Sequence, residues 1–307
     1  MGLDRDVARL LAELAASDVP SLSDGSVAEA RANYDSNPKP PPDPIAHVVD
    51  EVVGGPEHEV PVRVYADAEP DGLPVVVFFH GGGWVLSSVA GHDSLARRIA
   101  RDTGALVVSV DYRLAPEHPF PAPHDDCWSA TAWLADHATE WGGDPDRLVV
   151  CGDSAGGNLA AGVALRARDA GLALALQALI YPCIDDRHER YESMTTNATG
   201  YFLTRDDMAW FWDRFVPGDR RDDPLAVPAR AADLHEVAPA FVQTAEFDPL
   251  RDEGEVYAGR LRDAGVPAEV VRYPGVVHGF VSRWHVMARA EQAHADLATA
   301  IRRAVHP

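Results

Sequence analysis

Lysine is almost absent from this sequence of 307 residues. Lys39 is the single lysine, so the 27 basic residues are nearly all arginine, and 48 acidic residues outnumber them. The formal net charge of −21 argues against a nucleic acid or an anionic membrane as partner, because both are bound by basic patches. We therefore expect neither partner and interpret the acidity as a contribution to solubility.

Cysteine is scarce and long apolar runs are missing. Cys127, Cys151 and Cys183 have unrelated spacings that match no metal-binding pattern, and an odd number cannot all pair within one chain. Residues 1–6 lack the basic start and apolar core of a signal peptide, and no apolar run is long enough to span a bilayer. These absences predict a cytoplasmic protein with no metal site.

The first 45 residues differ in pattern from the rest of the chain. Leucine and valine at helical spacing predict an amphipathic helix over residues 3–16, and a weaker helical stretch covers Val27–Tyr34. The proline-rich run at residues 38–44 forbids regular structure and is typical of a stiff connector. We interpret residues 1–45 as an N-terminal cap segment that packs on the main body.

Strand-like and helix-like patterns alternate from residue 46 onward. Two alternating runs, His47–Val53 and Glu59–Tyr65, predict antiparallel strands at a sheet edge. The later apolar runs alternate with helices, which predicts an α/β fold with a mostly parallel central sheet flanked by helices. An aromatic-rich stretch at 185–227 interrupts this order, and we expect a cap insertion that forms a lid, with an ordinary packing helix as the alternative. The predicted catalytic domain comprises residues 46–184 and 228–307.

One apolar run leads directly into a glycine-rich turn. Leu148–Cys151 precede Gly152-Asp153-Ser154-Ala155-Gly156-Gly157, and an alanine-rich helical pattern follows. This is the G-x-S-x-G pattern of a strained strand–turn–helix that exposes a serine hydroxyl, and side chains at the two outer glycines would collide with the adjoining strand and helix. The alternative is that Ser154 only caps the helix.

A serine nucleophile needs a base, and the base needs an orienting carboxylate. In enzymes that carry the serine on such a turn, the acid and then the histidine follow along the chain, each after a later strand. Asp248 follows the predicted strand Ala240–Ala245, and His278 lies in the loop at 274–280 after the strand Ala268–Tyr273. Other acidic residues and histidines could fill these two roles, but they lie beside these positions, in helices, or in loops that do not follow a strand. They are Glu246, Asp252, Glu253, His118, His124, His235 and His285.

The third requirement is a set of donors for the negative charge that builds on the substrate carbonyl. His80-Gly81-Gly82-Gly83-Trp84 follows the buried strand Val75–Phe79, and consecutive glycines let backbone N–H groups point into a site. The N–H groups of Gly82, Gly83 and Ala155 would form this oxyanion hole. A phosphate cradle is excluded, because the turn lacks a Lys-Ser or Lys-Thr ending and the G-x-G-x-x-G pattern.

Together these motifs resemble the hormone-sensitive-lipase-like family of microbial esterases over essentially the whole chain. The resemblance implies an α/β-hydrolase body, a helical cap, hydrolysis of carboxylic esters without a cofactor, a triad of Ser154, Asp248 and His278, and the oxyanion hole named above. The motifs are His80–Trp84, Tyr112–Glu117, Gly152–Gly157, Asp248–Gly254 and His278–Phe280, with cap matches at Gly200–Thr204 and Met208–Phe211.

The sequence therefore predicts a serine carboxylesterase that hydrolyses a small-molecule ester through an acyl-enzyme. Two capping elements indicate an enclosed pocket, so we expect short to medium acyl chains. An amidase or carbamate hydrolase with the same triad is the alternative, while a non-catalytic binding protein is disfavoured because His278 is present. The resemblance also allows a homodimer paired through the last strand and helix. The residues predicted to line the pocket are Trp84, Phe202, Trp210, Phe211 and Phe280.

Overall fold

An eight-stranded sheet forms the centre of the protein in the computed structural model, which describes residues 2–16, 22, 25–55, 58–216 and 218–306. Parts of the predicted cap segments 1–45 and 185–227 lie outside these described residues. The strand order in the sheet is β1-β2-β4-β3-β5-β6-β7-β8. The strands are β1 His47–Gly55, β2 His58–Ala66, β3 Leu73–Phe79, β4 Leu106–Val110, β5 Gly143–Asp153, β6 Leu176–Ile180, β7 Ala240–Phe247 and β8 Ala268–Val277.

The sheet is antiparallel at one edge and parallel elsewhere. β1 pairs with β2 in antiparallel register from His47 opposite Ala66 to Gly55 opposite His58, and β2 pairs with β4 in the same sense. The remaining neighbours from β4 to β8 are parallel. The predicted α/β fold and its antiparallel edge hairpin are confirmed. All the parallel strands therefore end at one edge of the sheet, where the loops that carry the predicted site residues begin.

Helices cover both faces of the sheet. Along β3, Val76 and Phe78 join the core beneath α1, α3 and α9, whereas Val75 and Val77 join the core beneath α4, α5 and α8. This period of two is what a strand buried on both faces requires. The helices are α1 Arg5–Ala15, α2 Val27–Ser36, α3 Asp93–Thr103, α4 Ala122–His137, α5 Ala155–Ala170, α6 Ser193–Thr196, α7 Arg205–Phe215, α8 Arg251–Asp263 and α9 Arg289–Val305.

The last strand is longer than predicted. The sequence pattern predicted a strand end at Tyr273 and a loop from residue 274, but β8 continues to Val277. The pairing with β7 shifts register after Ala245 and then resumes with Phe247 opposite Val277. As a result, β7 and β8 both end at paired residues, and the residue after each strand emerges at the same place.

Two of the helices in the segments predicted as caps, α2 and α7, begin with a capping box. Ser26 caps α2 and Thr204 caps α7, each in a reciprocal arrangement with the acidic residue three positions later. The sequence Thr204-Arg205-Asp206-Asp207, with acidic residues in the first turn, is typical of such a helix start. No helix in the described part of the chain is long and apolar enough to cross a membrane.

Candidate active site

Ser154 lies on a strained turn between β5 and α5. Its backbone has φ 57° and ψ −116°, a conformation that side-chain-bearing residues rarely adopt. A Cβ on Gly152 would overlap the Gly156 carbonyl of α5, and a Cβ on Gly156 would overlap the Phe79 carbonyl of β3. The two glycines are therefore required because strand, turn and helix approach closely, as the sequence pattern predicted.

The Ser154 side chain does not cap the helix that follows it. It makes no capping hydrogen bond to α5. Its hydroxyl lies 2.9 Å from Nε2 of His278 instead. The backbone holds the turn in place, because the Ser154 N–H donates to the Ile180 carbonyl at 2.8 Å. The hydroxyl is thus left to the imidazole, and the capping alternative is excluded.

Asp248 and His278 follow directly after the paired ends of β7 and β8. Oδ2 of Asp248 lies 2.7 Å from Nδ1 of His278, and Oδ1 accepts the Leu250 N–H at 2.8 Å. The Asp248 carboxylate has no solvent exposure, so its hydrogen bonds are protected from water. An Nδ1–H that donates to this carboxylate leaves Nε2 free to accept the serine proton.

The competing acidic residues are committed to structural contacts. Glu246 accepts the Gly275 N–H at 2.8 Å, and Asp252 accepts the Ser193 N–H at 2.8 Å. Glu253 is fully buried and accepts the Ile184 N–H at 2.6 Å, at the start of the segment 185–227. Among the competing histidines, His235 and His285 are exposed at the surface. The geometry therefore singles out Asp248 and His278 among the candidates.

The glycine-rich loop after β3 lies against the turn that carries the serine, since the Gly81 N–H donates to Asp153. Gly82 and Gly83 have φ values of 118° and 60°, which favour glycine. The Gly82 carbonyl accepts the N–H groups of Val85 and Leu86, which fixes the loop. Among the described residues, the N–H groups of Gly82 and Gly83 and that of Ala155, at the first position of α5, have no backbone acceptor. Three donors are thus available for an oxyanion.

A buried polar network beneath this loop was not predicted. Asp153 accepts the Gly81 N–H at 2.8 Å and contacts His92 Nε2 at 3.3 Å. Burial alone would raise the pKa of Asp153, but His92 and the Gly81 N–H bring it below its ordinary value. The Tyr112 hydroxyl donates to the His80 carbonyl at 2.6 Å, and the Tyr112 ring stacks on the His80 ring.

This network had one signal in the sequence: Asp153 and Tyr112 both lie inside recognised motifs. Asp153 stands next to Ser154, and Tyr112 opens the motif Tyr112–Glu117. The contacts join the ends of β3, β4 and β5, which anchors the glycine-rich loop to the turn that carries the nucleophile.

Two more contacts around the histidine and its acid were not anticipated. The Tyr181 ring lies 4.6 Å from the His278 ring, centroid to centroid, and Tyr181 has a positive φ of 36°. The Asn197 side chain donates to the Asp248 carbonyl at 3.1 Å, from the segment between β6 and β7. Asn197 matched only a glycosylation pattern in the sequence, so its contact with the acid's loop had no sequence signal.

The aromatic residues predicted to line the pocket fall into two groups. Phe211 covers Gly83 so closely that a Cβ there would overlap its ring. Phe202 lies near Gly279, and Trp210 contacts Phe211 edge to face. These three remain predicted pocket residues.

Trp84 and Phe280 are packed in the interior instead, and their prediction as pocket residues needs correction. Both are fully buried. The Trp84 ring stacks on Phe215 with the ring centroids 4.1 Å apart, and the residue has a positive φ of 61°. Phe280 packs against Tyr273 and Tyr181 in the core beneath α9.

Comparison with known proteins agrees with this geometry. The family described as alpha/beta hydrolase fold matches residues 76–282. The chain is 46% identical over 254 residues to the carboxylesterase NlhH of Mycobacterium tuberculosis. This match covers 81% of this chain and 79% of that protein. It is 38% identical over 242 residues to an ethyl acetate hydrolase of Pseudomonas putida, covering 76% of each.

A solved structure shows the same architecture over nearly the full length. The hyperthermophilic esterase of the archaeon Pyrobaculum calidifontis superimposes with a TM-score of 0.93 at 40% identity, and the match covers 99% of both chains. The match at this level of identity extends from the sheet to the loops at its carboxyl edge. The chain belongs to the α/β-hydrolase fold family and, within it, to the carboxylesterases that resemble hormone-sensitive lipase.

Proposed function

We propose that this carboxylesterase hydrolyses short- to medium-chain acyl esters with Ser154 as nucleophile, His278 as base and Asp248 as the residue that orients His278. The observation that carries the proposal is the continuous chain of contacts from the Ser154 hydroxyl through the imidazole to Asp248, at 2.9 Å and 2.7 Å. Nucleophile, base and orienting acid within hydrogen-bond reach are what acyl transfer requires.

The reaction then runs in two halves. His278 Nε2 takes the proton from Ser154 while the serine oxygen attacks the ester carbonyl, and the N–H groups of Gly82, Gly83 and Ala155 receive the charge on the carbonyl oxygen. The protonated His278 gives its proton to the departing alkoxide, so an alcohol leaves and an acyl-serine remains. Water, deprotonated by His278, attacks the acyl-serine. His278 then returns the proton to the Ser154 oxygen as its bond to the acyl carbon breaks and the carboxylic acid leaves.

Asp248 contributes through its fixed position. Its carboxylate is fully buried and also accepts the Leu250 N–H, so it cannot rotate away from His278. It holds the imidazole in the tautomer that leaves Nε2 facing Ser154, and it stabilises the imidazolium that forms in each half of the reaction.

A limited acyl chain length is supported by the roof of the site. Phe211 of α7 closes directly over Gly83, one of the proposed oxyanion donors. A relative is named for hydrolysis of ethyl acetate, an ester with a two-carbon acyl group. We propose that residues 1–45 and 185–227 form the cap of this pocket and that residues 46–184 and 228–307 form the catalytic body.

The assembly and location belong to the same proposal. β8 is an edge strand of the sheet, with α9 beside it, and this edge is where we propose that two subunits pair. We propose a cytoplasmic enzyme without a nucleic-acid partner, consistent with its acidic charge. Sedimentation at several protein concentrations will test the homodimer.

Replacement of the nucleophile tests the catalytic assignment. We expect Ser154→Ala to lower kcat for 4-nitrophenyl acetate by about 10⁴-fold or more, because the oxyanion hole and binding alone retain only residual catalysis. Ser129→Ala is the matched control, the same hydroxyl deletion at a partly buried position in the middle of α4, and should keep most of the activity. Unchanged thermal melting shows that both variants fold, and substantial activity in Ser154→Ala would refute the assignment.

A further inference from the structure

A cavity lies between the N-terminal segment and the loop after His278. Its volume is about 70 Å³, several times the space that one water molecule needs. Its walls include Tyr34 and Lys39 from the N-terminal segment, His92 beside α3, and Arg283 from the loop that follows His278. Few of these residues have a role in the reaction described above, so the cavity needs its own explanation.

Two wall residues of the cavity contact the direct sequence neighbours of catalytic residues. Nη1 of Arg283 donates to the Gly279 carbonyl at 2.9 Å, and Gly279 directly follows His278. On the other wall, His92 contacts Asp153, which directly precedes Ser154. Because His278 protonates the departing alcohol, we expect Arg283, which is bonded to the residue after His278, to lie on the alcohol side of the ester.

The side chains around this cavity carry uncompensated positive charge. In the described part of the chain, no carboxylate lies within ion-pair distance of Arg283 or Lys39, although many other arginines are paired with Asp or Glu. Lys39 Nζ contacts the backbone carbonyls of Tyr34 and Asp35. In a chain with a net charge of −21, two such cations beside one cavity create a local site for an anion.

Arg283 is held in a fixed orientation with donors to spare. Its guanidinium lies 4.2 Å from the centre of the Phe202 ring and donates one hydrogen bond to Gly279. Within the described ranges, Nε and Nη2 have no protein acceptor. Burial lowers the pKa of Arg283, since the cation is partly removed from water. A bound anion would compensate this loss of solvation, and the planar fork of arginine suits a carboxylate.

We propose that Arg283, assisted by Lys39, binds a carboxylate on the alcohol part of the ester, so that acyl esters of hydroxy acids are preferred substrates. This inference rests on the proposed function. Hydrolysis breaks the bond between the acyl carbon and the alcohol oxygen, and water supplies the oxygen of the released carboxylic acid. The hydroxy acid leaves with its own carboxylate unchanged.

The test compares 4-acetoxybutanoate with 4-acetoxybutanamide, which match in length and differ in charge. We expect the wild-type protein to hydrolyse the carboxylate with a kcat/KM about tenfold higher, because a hydrogen bond between two charged groups is stronger than one to a neutral amide. Arg283→Gln removes the charge and keeps an amide donor. It should lose most of this preference, chiefly through KM for the carboxylate, so that the ratio of the two kcat/KM values falls toward one.

Two further variants separate recognition from packing. Arg283→Lys keeps the charge without the fork and should retain part of the preference. Arg214→Gln is the matched control, because Arg214 also stacks on an aromatic ring and donates to the carbonyl four residues earlier, but outside the cavity walls. It should leave the preference unchanged. Lys39→Gln should lower it partly.

The possible failures are distinguishable. Equal kcat/KM for the two esters in the wild-type protein, or an unchanged ratio in Arg283→Gln, would overturn the carboxylate site while activity on 4-nitrophenyl acetate upholds the esterase. A uniform loss on every ester in Arg283→Gln would indicate a structural role and would also overturn it. A wild-type protein inert to all these esters contradicts the proposed function itself.

Discussion

At position 156, glycine is required because of the atoms around it and not because of a chemical role of its own. It lies in the first turn of α5, where its φ is ordinary, yet it is in contact with the backbone of β3. The atoms it meets are the Phe79 and His80 carbonyls, which belong to a buried strand and its end. Backbone atoms of a central strand cannot move aside as a flexible side chain can.

We therefore expect Gly156→Ala to destabilise the protein by about 3 kcal/mol or more, as overpacking of a rigid core does. The measurement is urea unfolding followed by circular dichroism, and loss of soluble protein counts as the same result. Gly259→Ala in α8 is the matched control, because a Cβ there meets only the Arg262 side chain, at an ordinary contact distance of 3.9 Å. It should stabilise by about 0.5–1 kcal/mol. Equal stability of the two variants would contradict the close approach.

At the scale of elements, Arg31 ties α2 to the body of the enzyme. Its guanidinium donates to the Val85 carbonyl at 2.9 Å, to the Ala115 carbonyl at 3.0 Å and to Glu117 at 2.7 Å. The bonds to Arg31 lower the pKa of Glu117 to about 2. Val85 lies directly after the loop His80–Trp84, so this arginine connects the N-terminal segment to the proposed oxyanion donors.

Arg31→Gln should loosen that connection. We expect faster cleavage of the N-terminal segment in limited proteolysis and a KM for 4-nitrophenyl acetate that rises several-fold, while kcat changes less, if the segment forms part of the pocket. Arg9→Gln is the control, because Arg9 in α1 is mostly exposed and reaches Asp6 only at 4.0 Å. Proteolysis that is equally fast in both variants would argue against a docked cap segment.

The sequence predicted elements and site positions where the signal is local. Ser154, Asp248 and His278 each follow a recognisable strand, and parallel strands bring their ends together. The end of β8 was predicted four residues too early, because the resumed pairing of Phe247 with Val277 depends on a partner strand. A pattern within one segment carries no information on such a partner.

Orientation was less predictable than position. Trp84 stands in the motif next to the proposed oxyanion donors, yet its ring is fully buried against Phe215. Arg31 meets carbonyls that are 54 and 84 residues away in sequence. Arg283 was not singled out, because one arginine among many carries no signal until its neighbours are known. These contacts depend on the assembled loops rather than on any single segment.

For the molecule as a whole, buried histidines determine how stability depends on pH. Burial lowers the pKa of His80 and His124 to about 3 and that of His294 to about 4. Each titrates near 6.5 in the unfolded chain, so the unfolded state binds more protons below pH 6.5. Each histidine therefore lowers the free energy of unfolding as pH falls, by about 1.4 kcal/mol per pH unit.

Glu253 acts in the opposite sense. Its burial raises the pKa well above 4.5, so that the folded state keeps a proton which the unfolded state releases as pH rises above 4.5. One carboxyl group opposes three buried histidines between about pH 4.5 and 6.5. We therefore expect the free energy of unfolding to fall as the pH is lowered through this range.

Urea unfolding at half-unit steps from pH 7 to pH 5 measures this slope. His124→Leu removes one of the three groups and should reduce the slope by about 1.4 kcal/mol per pH unit. His235→Gln is the control, because its side chain is 71% exposed, and it should leave the slope unchanged. A slope that is flat in the wild-type protein, or the same in His124→Leu, would show that the buried histidines do not control acid stability.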